Sequence, residues 1–299
     1  MATNAGAVSR LLLGEPLRSD RLGETLLPKR LALPVFCSDP LSSVAYATEQ
    51  IVLVLGLGGL ALLHLTPWLA GAVVGLLAIV VASYRQTCHA YPNGGGAYAV
   101  SRENLGEDAS LVAAASLLID YVLTVAVSVV AGVAAITSAV PSLASHAVAL
   151  SLGFVAILTA ANLRGVKESG RAFAVPTYGF VIAIYAMLLV AFAKIGFGHG
   201  ITAESAHYGL RKVADTGGLL TVFLVLRAFA SGCTALTGVE AVSNGVPGFE
   251  PPKSRNAATT LLVMGVLATT MFAGITALAL ISHVHMAENT SALVGFPAG

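Results

Sequence analysis

Charge is scarce in this sequence. Lysine, arginine, aspartate and glutamate together make up 10% of its 299 residues, while 56% are apolar. Soluble domains carry about 25% charged residues, so the composition excludes a water-soluble globule and identifies an integral membrane protein. The net charge is +1, which removes any electrostatic case for nucleic acid as a partner. Cys37, Cys88 and Cys233 are an odd set without CxxC spacing, which argues against a disulfide framework or a zinc site. No two of the seven histidines have the i, i+4 spacing of a metal pair on a helix, and we read them as solvated. No Ser–His–Asp set and no P-loop is present, so we expect neither an enzyme nor a cofactor. Met1–Arg30 is polar apart from Leu11–Leu13 and lacks the pattern of a cleavable signal peptide.

What the sequence does have is long apolar segments. We read seven, at about 31–63, 67–83, 110–140, 145–163, 172–193, 218–246 and 257–282. About 20 residues cross the hydrocarbon, so the first is too long for one straight crossing and suggests a broken, offset helix. Between the second and third lies Tyr91-Pro92-Asn93-Gly94-Gly95-Gly96-Ala97-Tyr98, at minimum a turn, whose glycines permit positive φ and close backbone approach. Assigning loops alternately to the two sides puts Arg10, Arg18, Arg21, Lys29, Arg30, Arg85, Arg102, Arg164, Lys167, Arg171, Lys253 and Arg255 together, against Lys194, Arg211 and Lys212. The positive-inside rule then makes the N-terminus cytoplasmic in a multi-pass protein of the cell membrane.

The polar residues inside these segments carry the functional signal. Asp39 and Pro40 interrupt the first segment. An aspartate at bilayer depth costs about 2.5–3.5 kcal/mol on insertion scales. Proline lacks an N–H and disfavours helical geometry in the residue before it, so we expect the helix to open over 38–42. A broken helix with an acid at the break is the pattern of a transporter cation site; the plainer reading is a kink whose aspartate caps the second half-helix. Tyr46 lies about two turns after Asp39. In the third segment Asp120, Thr124 and Ser128 form an i, i+4, i+8 stripe, with Tyr121 beside it. Their oxygens are hard ligands, suited to alkali cations and protons. In the sixth segment Thr237 and Glu240 flank Gly238, and we expect a second break over 234–238. Any single Ser or Thr more commonly bonds back to its own helix. Arg227 is the one basic residue within a segment and is placed to neutralise an acid, although not Glu240 on its own helix. Asp39–Val44 can be laid on Thr234–Val239, which suggests an inverted repeat with its site at the midplane.

The runs Ser38–Tyr46, Tyr91–Tyr98, Ile119–Ser128 and Ser231–Ala241 resemble the Kim-type potassium importers of the KUP family, within the amino acid–polyamine–organocation superfamily. The resemblance runs from about Leu11 to Ser282. It implies an all-α, inverted-repeat transporter fold with its first and sixth helices broken. The corresponding division is a cytoplasmic segment 1–30, a first five-helix repeat 31–195, an external loop 196–217, the first two helices of the second repeat 218–282, and a tail 283–299. The implied activity is potassium import coupled to protons. Asp39, Tyr46, Asp120, Tyr121, Thr124, Ser128, Thr237 and Glu240 would line the path. Asp39, Asp120, Thr124, Ser128 and Thr237 would hold potassium, and Glu240 would take the coupling proton. A homodimer in the complete protein is also implied. The family has twelve spans and a regulatory domain, so the resemblance makes this chain a fragment or truncated product, expected to insert but not to transport alone. Alternatives are an amino acid permease of the same superfamily, or a truncated membrane protein that senses or scaffolds without transport. An aspartate at the first break would repel an amino acid's carboxylate, which favours the cation.

Overall fold

The computed structural model describes residues 26–163, 166–207 and 218–284; for residues 61, 166–169 and 207 it gives the backbone alone. Eight helices carry the architecture: α1 Lys29–Gly56, α2 Thr66–Ala90, α3 Gly96–Leu105, α4 Glu107–Ala139, α5 Ala147–Leu163, α6 Val166–Gly196, α7 Leu219–Gly232 and α8 Lys253–Ile281. Apart from the short α3, they fall on the seven apolar segments of the sequence. Among the described residues six spans are long and apolar enough to cross a membrane: α2, α4, α5 with the turn before it, α6, the segment begun by α7, and α8. α1 is long enough, at 28 residues, but too polar to be among them.

The polarity of α1 is matched by its position. It packs against α8, α7 and α6 and against the turn that follows α7. More than half of its residues are buried, among them Cys37, Leu41, Val44, Ala47 and Ile51. In lipid, helices gain little from the hydrophobic effect and associate by close van der Waals packing, which small residues permit. The interfaces follow that rule. A β-carbon on Gly232 of α7 would fall 2.7 Å from Ile51 of α1, and one on Gly265 of α8 would fall 2.9 Å from Val81 of α2. Buried polar groups pair across these contacts, as Thr48 of α1 does with Thr276 of α8 at 2.7 Å. Residue 27 is also tied in: the Leu27 N–H donates to the Gly248 carbonyl, and the Glu250 N–H donates to the Leu27 carbonyl.

Two expectations require correction here. α1 does not open at Ser38–Ser42 but continues as a helix through Pro34 and Pro40. A proline inside a helix removes one hydrogen bond and costs about 3 kcal/mol. Enclosure by α6, α7 and α8 outweighs that local preference, and the Ser42 hydroxyl adds a bond back to the Asp39 carbonyl at 2.9 Å. Asp39 therefore caps no half-helix, because the N-cap of α1 is Pro28. The extra length of the first segment is taken up instead by a turn through Gly58 and Gly59 and a single helical turn, Leu60–Leu63.

The second expected break is present. α7 ends at Gly232, and a 3₁₀ turn runs over Cys233–Leu236. Thr237 is extended, and Gly238 has φ 80°, a left-handed conformation that glycine adopts without strain. One helical turn, Ala241–Asn244, and a second 3₁₀ turn, Val246–Gly248, lead towards α8.

α4 and α5 lie away from this core. α4 packs on α3 and α5, and α5 packs on α6. Of the most apolar stretch of α4 only 11% is buried, and of that through α5, none.

Candidate functional site

The irregular segment between Gly232 and Asn244 meets α1 at Asp39. A β-carbon on Gly238 would strike the Asp39 carboxylate and lie 2.8 Å from Cδ of Pro40. The two stretches that can be aligned in sequence, Asp39–Val44 and Thr234–Val239, are thus in direct contact at their acidic and glycine positions. Asp39 accepts a long hydrogen bond, 3.4 Å, from the Ser43 hydroxyl. The same hydroxyl lies 3.1 Å from the Tyr46 hydroxyl, so Asp39, Ser43 and Tyr46 share one face of α1.

Three carboxyls converge. Asp39 and Glu240 each feel the charge of Asp120, and Glu240 feels that of Asp39. Each is half-buried or exposed within the described residues. Within those residues, no lysine or arginine is among the groups that act on Asp39 or Glu240. Arg227 does not fill the neutralising role considered for it: it is exposed on α7. Glu240 has one oxygen, Oε1, that is buried without a hydrogen-bond partner. A buried acceptor left unmatched costs about 1–3 kcal/mol, more when charged.

Tyr121 of α4 brings its hydroxyl to the same place, within electrostatic reach of Asp39, Asp120 and Glu240. Thr237 is half-buried in the break. Thr124 is half-buried and Ser128 exposed further along α4, and neither makes a hydrogen bond among the described residues. Of the residues expected from the sequence, the structure therefore gathers Asp39, Asp120, Tyr121 and Glu240, sets Tyr46 and Thr237 beside them, and leaves Thr124 and Ser128 unattached.

Two residues went unnoticed in the sequence. Tyr84 of α2 interacts electrostatically with Glu240 and Tyr121. Asn244 donates from Nδ2 to the Tyr121 hydroxyl at 2.7 Å. A signal for Asn244 did exist in the triple glycine, whose close approach is made to this residue: a β-carbon on Gly94 would fall 2.7 Å from the Asn244 carbonyl oxygen, and one on Gly96 would strike Asn244 Oδ1.

A family model described as amino acid permease matches residues 32–297. The chain belongs to the amino acid permease family. It is also 47% identical over 274 residues to a protein of Bacillus subtilis (strain 168) named potassium transporter KimA, an alignment covering 91% of this chain and 44% of that relative. The chain thus spans less than half the length of the curated relative it matches. Family membership and the apolar helices make it a multi-pass membrane protein.

Proposed function

We propose that this chain forms the cation-binding part of a Kim-type, KUP-family potassium importer driven by protons. The observation that carries the reading is the contact of Asp39 with the Gly238 break, two residues before Glu240, with Asp120 near enough to act on both acids and no basic residue acting on Asp39 or Glu240 among the described residues. Acids within apolar spans are tolerated where they hold an ion or a proton. Asp39 and Asp120 offer charged oxygens to potassium, Thr237 adds a hydroxyl, and Thr124 and Ser128 extend the polar path along α4. Glu240, with its unmatched Oε1, takes the coupling proton. The name of the Bacillus relative supports potassium as the cargo. In this reading residues 31–195 are the first repeat and 218–282 open the second, the N-terminus faces the cytoplasm by its positive charge, and the complete protein is a homodimer in the plasma membrane.

The family description also favours a second reading, transport of an amino acid. The carboxyl cluster argues against it, because a substrate carboxylate would meet like charge. The deciding experiment measures potassium and labelled amino acid uptake by the full-length protein in a host deficient in potassium uptake. Saturable potassium uptake that rises with an inward proton gradient supports the proposal. Amino acid uptake alone overturns it.

A further inference from the structure

The triple-glycine turn, Tyr121 and the chain beyond Glu240 meet at one side chain, Asn244. Its Nδ2 donates to the Tyr121 hydroxyl at 2.7 Å. Its own backbone N–H bonds to the Glu240 carbonyl at 3.0 Å, and its carbonyl accepts from the Gly95 N–H at 3.4 Å. Its Oδ1 is buried without a partner and lies against Gly96, where an added β-carbon would strike it and where a φ of 45° favours glycine. Backbone bonds at both ends and the glycine wall on one side fix the plane of the amide. The amide in turn fixes the hydroxyl. Because Nδ2 occupies one lone pair of the Tyr121 oxygen as a donor, the phenolic hydrogen and the remaining lone pair are left for other partners. The groups within electrostatic reach are Asp39, Asp120 and Glu240.

We infer that Asn244 is a positioning residue of the cation site: its amide, held by the Gly94–Gly96 turn, orients the Tyr121 hydroxyl toward the ion and the three carboxyls. This deepens the potassium reading and rests on it. It also gives the glycine motif a reason beyond turning the chain, since the turn is the mould for the amide.

The test is a double-substitution cycle in the full-length protein, read as rubidium uptake against concentration, with potassium and amino acid uptake by the wild type measured alongside. Asn244→Ala is expected to raise the KM for rubidium by about three- to tenfold, the worth of one neutral hydrogen bond, with the maximal rate within about twofold of wild type. Tyr121→Phe is expected to raise KM at least as much. With the hydroxyl already gone, adding Asn244→Ala to Tyr121→Phe should change KM by less than about twofold, because the two residues act as one unit. Asn244→Ser, small enough to fit beside Gly96, answers the same question if the alanine variant does not fold. An unchanged KM in Asn244→Ala or Asn244→Ser, or fold-changes that multiply in the double variant, overturns the positioning role while leaving potassium transport intact. A wild type that carries amino acids but neither potassium nor rubidium overturns the cation reading itself, and this inference with it.

Discussion

α1 and the span formed by α5 with the turn before it are both long enough to cross a membrane, yet they are opposites. α1 holds Asp39, Glu49 and two prolines and is enclosed by three other helices. α5 holds no charged residue, and none of its most apolar stretch is buried. In water the order would be reversed, with the apolar helix inside. In a bilayer the apolar helix is already in a matching solvent, and the polar one needs protein around it. Low apolarity in a segment long enough to cross is therefore the mark of a central helix here, and the acid on it marks the site.

Substitutions can break or sharpen this contrast. The largest effect is expected from Asp39→Asn, which removes the charge at the Gly238 contact while keeping the size. Potassium uptake by the full-length protein should fall at least about a hundredfold, since loss of a buried charge partner costs about 3–5 kcal/mol, while the amount of inserted protein stays unchanged. Wild-type uptake would make Asp39 a structural residue only. Next is Leu41→Ala on the fully buried face of α1, expected to cost about 2–5 kcal/mol in thermal or denaturant unfolding in detergent. Thr48→Val leaves the Thr276 hydroxyl without its partner and should cost about 1–3 kcal/mol by the same measurement. The smallest effect is expected at Leu152 on α5, 66% exposed, where alanine should change stability by less than about 0.5 kcal/mol. A loss at Leu152 equal to that at Leu41 would show that α5 is as enclosed as α1 and end the contrast.

Much of this was legible in the sequence, because hydropathy reports the solvent directly. The third, fourth and seventh apolar segments ended within about four residues of α4, α5 and α8, the second and fifth were shorter than α2 and α6, and the sixth ran on past the end of α7 through the break at Thr234–Gly238, which stood out through its glycine and hydroxyls. The continuity of α1 was not legible. Pro40 states a local preference, whereas the grip of α6, α7 and α8 on that helix is a property of the assembled bundle. Asp120 and Glu240 were recognisable because an acid in an apolar run stands out. Asn244 was not, since a single amide near a helix end is ordinary: the triple glycine signals a close approach but not to which residue, and the Tyr121 partner lies 123 residues away.

The short parallel pairing of Leu27 with Phe249 bears on how the molecule is made. Its two residues are separated in the chain by nearly everything described above. At roughly 5–20 residues per second, the interval between synthesis of Leu27 and of Glu250 is on the order of 10–45 s. During that interval the segment entering α1 has no backbone partner from the far side, and Asp39 waits without Gly238 beside it. The site is therefore completed late in biogenesis, after α1 to α7 have been synthesised, and the first and most polar of the long helices waits longest for its surroundings.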